Sequence, residues 1–252
     1  MELSALQLLL LTGLGFLAGI INVMAGGGSS LTVPAMVLMG LPGPIANGTN
    51  RVALLAQNIA ATIGFIRKGY SDWKLSLSLS LCAIPGAVLG ALFGAGFEGV
   101  WFNRVLAALM IAILILSATS RTAGDRPTSP PSGRRVLLVH LAMIFVGMYG
   151  GFIQIGLGFI IIPILQRGLS LDLVRVNMHK VFIVGAYMIF AIAVYAFQGK
   201  VYWFIGLIIA IGNSVGAWVG THLAIRKGER LIRIVLNSAL ILMAIKLLVM
   251  HP

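Results

Sequence analysis

An apolar segment running from about residue 6 to 41 is interrupted by Ala25-Gly26-Gly27-Gly28-Ser29-Ser30-Leu31-Thr32-Val33-Pro34. Three consecutive glycines raise the conformational-entropy cost of a helix, and Pro34 lacks an amide donor, so a straight helix is not expected here. Because the flanks are strongly apolar, the break is expected at membrane depth, where irregular backbone is tolerated only against protein or a watery cavity. We therefore expect this break, with a partner later in the chain, to form the working site.

The composition is that of an integral membrane protein. The 252 residues are 59% hydrophobic and only 10% charged, with a mean hydropathy of +1.03. A soluble domain of this size needs far more charge to cover its surface, and the apolar stretches have the length of helices. The net charge of +12 comes from basic residues in short loops, which favours positive-inside topology over nucleic-acid binding. Cys82 is single, which excludes a disulfide framework and a cysteine metal site.

The apolar segments fall into two similar series separated by a polar linker rich in proline and serine. We predict a first repeat over 1–118, a cytoplasmic linker over 119–135 and a second repeat over 136–252. Segments of 20 or more residues can span a bilayer, and the pieces at 29–41 and 158–166 are too short to cross unaided. The predicted segments are 4–24, 29–41, 46–66, 74–96 and 101–118, followed by 136–155, 158–166, 176–197, 202–225 and 231–250.

The two series are related by a repeat at an offset of 129–130 residues. The matched positions are Pro34 with Pro163, Asn47 with Asn177, Gly69 and Trp73 with Gly199 and Trp203, and Gly86 and Gly90 with Gly216 and Gly220. Their near-constant spacing indicates two copies of one module. The predicted fold is an all-α polytopic membrane protein of two inverted-topology repeats, each with four long helices plus a short broken or re-entrant segment. The Gly-xxx-Gly pairs at 86/90 and 216/220 are interpreted as close helix–helix contacts.

The distribution of basic residues predicts the orientation of the halves. If each half crosses an odd number of times, one side carries thirteen basic residues and the other carries two; an even number gives eight against seven. The positive-inside bias therefore favours inverted halves in the cytoplasmic (inner) membrane, with both termini outside and the linker in the cytoplasm. The thirteen are Arg67, Lys68, Lys74, Arg121, Arg126, Arg134, Arg135, Arg167, Arg175, Arg226, Lys227, Arg230 and Arg233.

Groups typical of catalysis or metal binding are sparse within the predicted spans. All six acids fall in loops or at segment ends, so a carboxylate proton relay is not expected. The four histidines show no metal-ligand spacing, and no Ser/His/Asp or Cys/His set has a plausible shared location. We therefore predict no catalytic residues, no metal site and no cofactor, and we do not expect an enzyme.

Two basic residues, Arg51 and Lys180, occupy equivalent places in the two repeats and are predicted to open long helices. They could reach lipid headgroups or cap carbonyls of the broken hairpins. Alternatively, they could supply positive charge to an anion held between the repeats, aided by amide donors at helix N-termini. The predicted substrate-binding residues are Asn22, Gly27, Gly28, Ser29, Ser30, Asn47, Thr49, Asn50, Arg51, Gln57, Gln154, Gly156, Asn177, His179 and Lys180, and Thr32 lies among them. We expect the two breaks to meet, with Gly28 and Gly156 as the positions to compare.

The chain resembles the sulfite exporter TauE/SafE family of membrane transporters over nearly its whole length outside the linker. In the first half the resemblance rests on Gly15-Phe16-Leu17-Ala18-Gly19, Gly26-Gly27-Gly28-Ser29, Pro34, Asn47-Gly48-Thr49-Asn50, Gly69, Trp73 and Pro85-Gly86-xxx-Gly90. In the second half it rests on Gly147, Gly150, Gly151, Gly156, Gly158, Pro163, His179-Lys180, Gly199 and Trp203. The resemblance implies export of small sulfur oxyanions or organosulfonates, such as sulfite or sulfoacetate.

The leading hypothesis is a secondary transporter or facilitator working by alternating access of two inverted halves. A passive anion channel and, less favoured, an intramembrane enzyme are the alternatives; a scaffold role has no supporting feature. The expected partners are a small anionic substrate, the lipid bilayer and, if transport is coupled, a coupling ion. Without intramembrane acids, that ion would be Na⁺ on carbonyl and amide oxygens or H⁺ at His179. The sequence leaves the substrate, the ion and the oligomeric state open.

Overall fold

The computed structural model describes residues 5–97, 99–119 and 131–226, and its regular structure within these ranges is entirely α-helical. The nine helices there agree closely with the predicted segments. They are α1 Ala5–Ala25, α2 Ser29–Leu38, α3 Gly43–Arg67, α4 Trp73–Gly96, α5 Val100–Thr119, α6 Gly133–Phe152, α7 Gly158–Leu169, α8 Leu173–Phe197 and α9 Trp203–Arg226. Because α5 ends at Thr119 and α6 begins at Gly133, part of the predicted linker is helical. The predicted segment 231–250 lies outside the described residues.

Five of these helices, α1, α4, α6, α8 and α9, are long and apolar enough to cross a membrane. With 25 residues, α3 is as long as α8, but it is more polar because it buries Asn47, Asn50, Arg51 and Gln57. A helix of this length measures about 37 Å, which exceeds the roughly 30 Å of a bilayer's hydrocarbon core. The all-helical, multi-pass membrane architecture predicted from the sequence is confirmed.

Both predicted breaks are present. The first separates α1 from α2 at Gly26–Gly28, and the second separates α6 from α7 between Phe152 and Gly158. Positive φ angles turn the chain in both breaks, at Gly26 (76°), Gln154 (58°) and Gly156 (67°). Pro34 lies inside α2 and Pro163 at the matching position of α7, so the prolines do not end these helices. The turns at positive φ make the breaks, whereas the two prolines lie within helices that continue past them.

The Gly-xxx-Gly pair of α4 packs directly on α6. A Cβ atom added to Gly86 would lie 2.0 Å from the Ile144 carbonyl oxygen, and one on Gly90 would lie 1.9 Å from that of Met148. Gly147 of α6 returns the contact, with its added Cβ 2.0 Å from the Ala83 carbonyl oxygen. Any side chain at these positions would separate the two backbones. The predicted close packing of this pair is confirmed.

The second Gly-xxx-Gly pair makes the same kind of contact between α9 and α1. A Cβ atom on Gly216 would lie 2.0 Å from the Phe16 carbonyl oxygen, and one on Gly220 would lie 3.0 Å from the Ile20 Cα atom. From α1, a Cβ on Gly19 would lie 2.3 Å from the Asn213 carbonyl oxygen. Each pair therefore joins a helix of one half of the chain to a helix of the other half.

These contacts divide the described helices into two bundles that mix the halves of the chain. One hydrophobic core is built mainly by α1, α2, α3, α5 and α9, which we call bundle A. The other is built mainly by α4, α6, α7 and α8, which we call bundle B, with Val52 and Leu54 of α3 at its edge. Among the described residues, each of these two cores thus draws helices from both predicted halves of the chain. A third, smaller core joins α1, α3 and α9 of bundle A to α8 of bundle B, and it contains Val23, Ala61, Phe65, Met178, Val181 and Ala217. The polar residues described next also lie between the bundles.

Candidate substrate site between the broken hairpins

The two breaks cross at backbone contact. The Gly158 amide donates a hydrogen bond to the Gly26 carbonyl oxygen at 3.2 Å. A Cβ atom on Gly26 would lie 2.2 Å from the Gly158 Cα atom, so neither position has room for a side chain. The contact is therefore between Gly26 and Gly158, whereas an added Cβ on Gly28 would meet the Ala18 carbonyl oxygen of its own hairpin.

Arg51 of α3 caps the carboxyl end of α6, the helix that precedes the second break. Its guanidinium donates to the carbonyl oxygens of Gly150 at 3.0 Å, of Gly151, and of Phe152 at 3.4 Å. The last carbonyls of a helix have no intrahelical partner and carry the negative end of its dipole, so a cation is favourable there. The Arg51 side chain is only 1% exposed.

Tyr195 of α8 and Asn47 of α3 extend the contact at the end of α6. The Tyr195 ring lies under the Arg51 guanidinium, with 4.4 Å from the Arg51 Cζ atom to the ring centroid. The Tyr195 hydroxyl donates to the Phe152 carbonyl oxygen at 2.9 Å, and the Asn47 amide donates to the same oxygen at 2.7 Å. A cation over a buried tyrosine face gains electrostatic stabilisation from the ring.

Lys180 of α8 makes the reciprocal contact with α1, the helix that precedes the first break. Its ammonium donates to the Val23 carbonyl oxygen at 2.8 Å and to that of Asn22 at 3.0 Å. It also donates to the Asn177 Oδ1 atom at 2.7 Å, and its side chain is 4% exposed. Each half of the chain thus supplies the cation that caps the broken helix of the other half.

Arg51 and Lys180, which the sequence repeat predicts at equivalent positions, make parallel contacts in the structure. Two details differ from the sequence prediction. Both residues lie in the third turn of their helices and do not open them, because α3 begins at Gly43 and α8 at Leu173. Capping of the broken hairpins, one of the two alternatives for these cations, is what the geometry has.

The remaining predicted site residues fall into three groups. Ser29 bridges the breaks by donating to the Gln154 carbonyl oxygen at 3.2 Å, and the Asn22 amide donates to the Gln57 Oε1 atom at 3.2 Å. A second group makes hydrogen bonds within bundle A and with the loop before α9. Ser30 donates to the Gly27 carbonyl oxygen, and Thr32 donates to the Asn50 Oδ1 atom at 2.6 Å. The Thr49 hydroxyl accepts from the Tyr202 amide at 2.9 Å. The third contains only His179.

His179 lies apart from the crossing. Its Nδ1 atom is 2.8 Å from the hydroxyl of Ser76 on α4, and it faces the loop between α3 and α4. Neighbouring positions of a helix point about 100° apart, so Lys180 can reach α1 while His179 turns towards α4. The structure therefore does not bring His179 together with the other predicted site residues.

A small polar cavity lies beside the crossing. Its lining includes Asn22, Gly26, Asn58, Gln154, Gly158 and Lys180, which come from both breaks and from α3 and α8. Its volume of about 10 Å³ is enough for a single water molecule. In this conformation the crossing is closed to anything larger.

Two larger cavities lie at opposite ends of α3 and α8. The first, of about 580 Å³, is lined by the α2–α3 loop, the start of α5, and Lys200 after α8. The second, of about 350 Å³, is lined by Tyr70 and Asp72 after α3, and by Arg175 and His179 at the start of α8. Because α3 and α8 each run the length of a bilayer, the two cavities open on opposite sides of the crossing.

Sequence reasoning missed Tyr187, Tyr195, Asn58 and Ser76, all buried at or near the site. The available signal was a pair of hydroxyl-bearing aromatics eight residues apart in an apolar helix, a spacing that puts both on one helix face. Asn58 could have been found as a polar residue on the same helix as Arg51, seven positions on. Ser76 looked like one of several serines in α4.

The buried side chains of the described residues include two cations and no carboxylate. Those residues also contain no cluster of three His, Cys, Asp or Glu side chains able to hold a metal ion. Crossed helix breaks, a buried excess of positive charge and cavities on both sides are features of a membrane protein that moves a solute. These features define the class as a multi-pass membrane transporter.

Comparison with known proteins identifies the family. The sequence profile of the sulfite exporter TauE/SafE family matches residues 11–247, so the chain belongs to this family. A probable membrane transporter protein, ORF9, from Sinorhizobium sp is 31% identical over 239 residues, covering 94% of this chain and 91% of its own length.

Two further relatives carry the same kind of name. The probable membrane transporter protein YfcA from Escherichia coli K12 is 29% identical over 251 residues, covering 97% of this chain and 91% of its own length. YunE from Bacillus subtilis, also a probable membrane transporter protein, is 21% identical, with 96% and 98% coverage. Similarity along nearly the full length agrees with one shared architecture.

Proposed function

We propose that this protein exports a small anion across the cytoplasmic membrane, and that the substrate is a sulfur oxyanion or an organosulfonate such as sulfite or sulfoacetate. The substrate class rests on membership of the family. The observation that supports an anionic substrate is the burial of Arg51 and Lys180 in a described core that contains no carboxylate.

Burying a charge is costly unless it is paired and hydrogen-bonded. Carbonyl dipoles at the ends of α6 and α1 offset part of this cost, but they carry only a fraction of a unit charge each. The crossing therefore keeps a positive potential, which an anion entering between the bundles would complement. The same potential would repel Na⁺ and other cations from this region.

The transport path runs between the two cavities and through the crossing. A closed crossing with a cavity at each end supports a carrier more than an open channel, because a channel needs a continuous pore. On the side assignment predicted from the basic loops, the His179 cavity faces the cytoplasm and the Lys200 cavity faces outside. An exported anion would then pass Lys180 before Arg51.

Alternating access would move bundle A against bundle B. Within each bundle the helices are held by apolar contacts and by glycines at backbone contact, which resist sliding. Between the bundles lie the backbone contact of Gly26 with Gly158 and a small apolar core on α8, which would have to slide. The polar contacts of Arg51, Lys180 and Ser29 also lie there, and they can exchange partners with a substrate or water. The sequence halves themselves are poor candidates for rigid bodies, because moving them apart would open both glycine interfaces.

The membrane potential is sufficient to drive export. An inside-negative potential favours outward movement of an anion by roughly 2.3 kcal/mol per charge for each 100 mV. A divalent anion would gain about twice that, so a coupling ion is not required. If one is used, H⁺ at His179 of the inner cavity is compatible with a described core that buries no carboxylate.

The test is anion efflux from proteoliposomes under an imposed potential. Wild-type protein should release sulfite or sulfoacetate faster when the potential is inside-negative, with saturation at high internal concentration. Arg51→Gln and Lys180→Gln should each reduce efflux strongly, and the matched control Arg104→Gln should not, because Arg104 is exposed and stacks on Trp101. Efflux that ignores the potential and survives both buried substitutions would refute the proposal.

A further inference from the structure

Some polar atoms in the described core have no hydrogen-bond partner. They are the Arg51 Nε atom, the Gln154 Oε1 atom, the Tyr187 hydroxyl oxygen and both amide atoms of Asn213. Three of these four residues border the end of α6 or the break that follows it. A buried polar group left unpaired costs about 1–3 kcal/mol, so a concentration of such groups at one place indicates a missing partner.

Two of the unpaired groups are donors that belong to side chains in contact with the same residue of α6. Arg51 donates through its Nη1 atom to the Gly150 carbonyl oxygen at 3.0 Å, while its Nε–H has no acceptor. A Cβ atom added to Gly150 would lie 2.3 Å from the Tyr187 hydroxyl oxygen, so the hydroxyl also sits against Gly150. Tyr187 is fully buried and Arg51 is 1% exposed. Both side chains therefore contact Gly150, and each keeps one donor without an acceptor.

Lys180 and Arg51 differ in how many N–H donors they can still offer to a ligand. An ammonium has three N–H donors, and those of Lys180 are matched by the oxygens of Asn22, Val23 and Asn177. A guanidinium has five, so Arg51 can hold the end of α6 with its Nη atoms and still offer its Nε–H. Arg51 can thus bind a ligand without releasing the helix that it caps.

We infer that the end of α6, just before the second break, holds an oxyanion oxygen of the substrate, bound by the Arg51 Nε–H and the Tyr187 hydroxyl. The inference rests on the proposed function and adds Tyr187 as a substrate-binding residue. The ligand chemistry is a negatively charged oxygen acceptor: a sulfonate, a sulfite or a carboxylate. Hydrogen bonds to a charged acceptor are roughly twice as strong as neutral ones, so both donors would discriminate for the anion over water.

The experiment compares Tyr187→Phe with Tyr195→Phe in full-length protein purified in detergent. The readout is the apparent melting temperature in increasing sodium sulfoacetate or sodium sulfite, with sodium chloride at matched ionic strength as the baseline. Tyr195 is the matched control because it is a buried tyrosine of the same helix whose hydroxyl already donates to the Phe152 carbonyl oxygen. Efflux from proteoliposomes is measured for the same variants.

Without added anion, Tyr187→Phe should melt at or slightly above the wild-type temperature, because it removes an unpaired hydroxyl. Its half-stabilising anion concentration should rise about tenfold or more, as expected for the loss of one hydrogen bond to a charged group. Tyr195→Phe should instead lower the melting temperature without anion, since it removes a bond the folded protein makes.

The outcomes separate the two proposals. If neither anion stabilises or leaves proteoliposomes of the wild-type protein, the proposed function fails. If wild type binds the anion and Tyr187→Phe binds it equally well, only the inference about Tyr187 is overturned. A lower melting temperature of Tyr187→Phe without anion would also overturn it, because the hydroxyl would then have a structural partner such as a buried water.

Discussion

Replacing Gly158 by alanine tests the crossing of the two breaks directly. The added Cβ atom would lie 2.3 Å from the Gly26 Cα atom and 2.4 Å from the Ala25 carbonyl oxygen, both backbone atoms that no rotamer change can move. Overpacking of this kind costs about 1–3 kcal/mol, and the hydrogen bond from the Gly158 amide to Gly26 adds about 1 kcal/mol if it is lost. We expect a destabilisation of about 2–4 kcal/mol.

The measurement is the apparent melting temperature of purified protein. At about 2–4 °C per kcal/mol for a chain of this length, Gly158→Ala should melt roughly 5–15 °C below wild type. Gly13→Ala is the matched control, because Gly13 is in a helix and its added Cβ would meet no heavy atom within 4 Å. Alanine favours a helix by up to about 1 kcal/mol over glycine, so the control should melt at or above wild type. An unchanged melting temperature for Gly158→Ala would refute the backbone contact.

Three further predictions concern the contacts around the site. Lys180→Met should lower the melting temperature by several degrees, because the last carbonyl oxygens of α1 lose the cation that caps them. Each buried group left unpaired costs about 1–3 kcal/mol. A variant as stable as wild type would contradict the capping role. Gly90→Ala should also destabilise, since its Cβ would lie 1.9 Å from the Met148 carbonyl oxygen, and normal melting would argue against the contact between α4 and α6. Thr49→Val keeps the shape but removes the acceptor of the Tyr202 amide, so a loss of about 1–3 kcal/mol is expected in a thermal or denaturant melt, and no loss would show that the amide finds another partner.

The helices of this protein could be predicted from local sequence because their causes are local. Apolar runs of 20 or more residues, Gly26-Gly27-Gly28 and the turn at Gly69 are visible without any knowledge of neighbours. Every end of a described helix lies within three residues of its predicted segment. The predicted starts of α3, α6 and α8 are each three residues late, because the first turns of these helices carry proline or charged residues typical of a loop.

Many residues of the candidate site could be named from the sequence, but the contacts that they make could not. Arg51 and Lys180 stood out because cations are expensive inside a membrane, and their equivalent positions followed from the repeat. Their partners are carbonyl oxygens of helix ends, which no residue type reveals. Tyr187 and Tyr195 were not predicted as site residues, because their contacts depend on α3 and α6 packing against α8. His179 was predicted as a site residue together with its neighbour Lys180. Adjacent positions of a helix point about 100° apart, so His179 faces α4 while Lys180 faces α1.

The break at Gly26-Gly27-Gly28 illustrates which features follow from local sequence and which depend on tertiary packing. Hydropathy and glycine content act locally, so they predict a bundle of membrane-length helices with two interruptions. The crossing of the interruptions at Gly26 and Gly158, the capping of each broken helix by the other half, and the mixing of the halves in the cores are visible only in the folded protein. These are pairings between residues a hundred or more positions apart, and they depend on which helix faces fit at backbone contact.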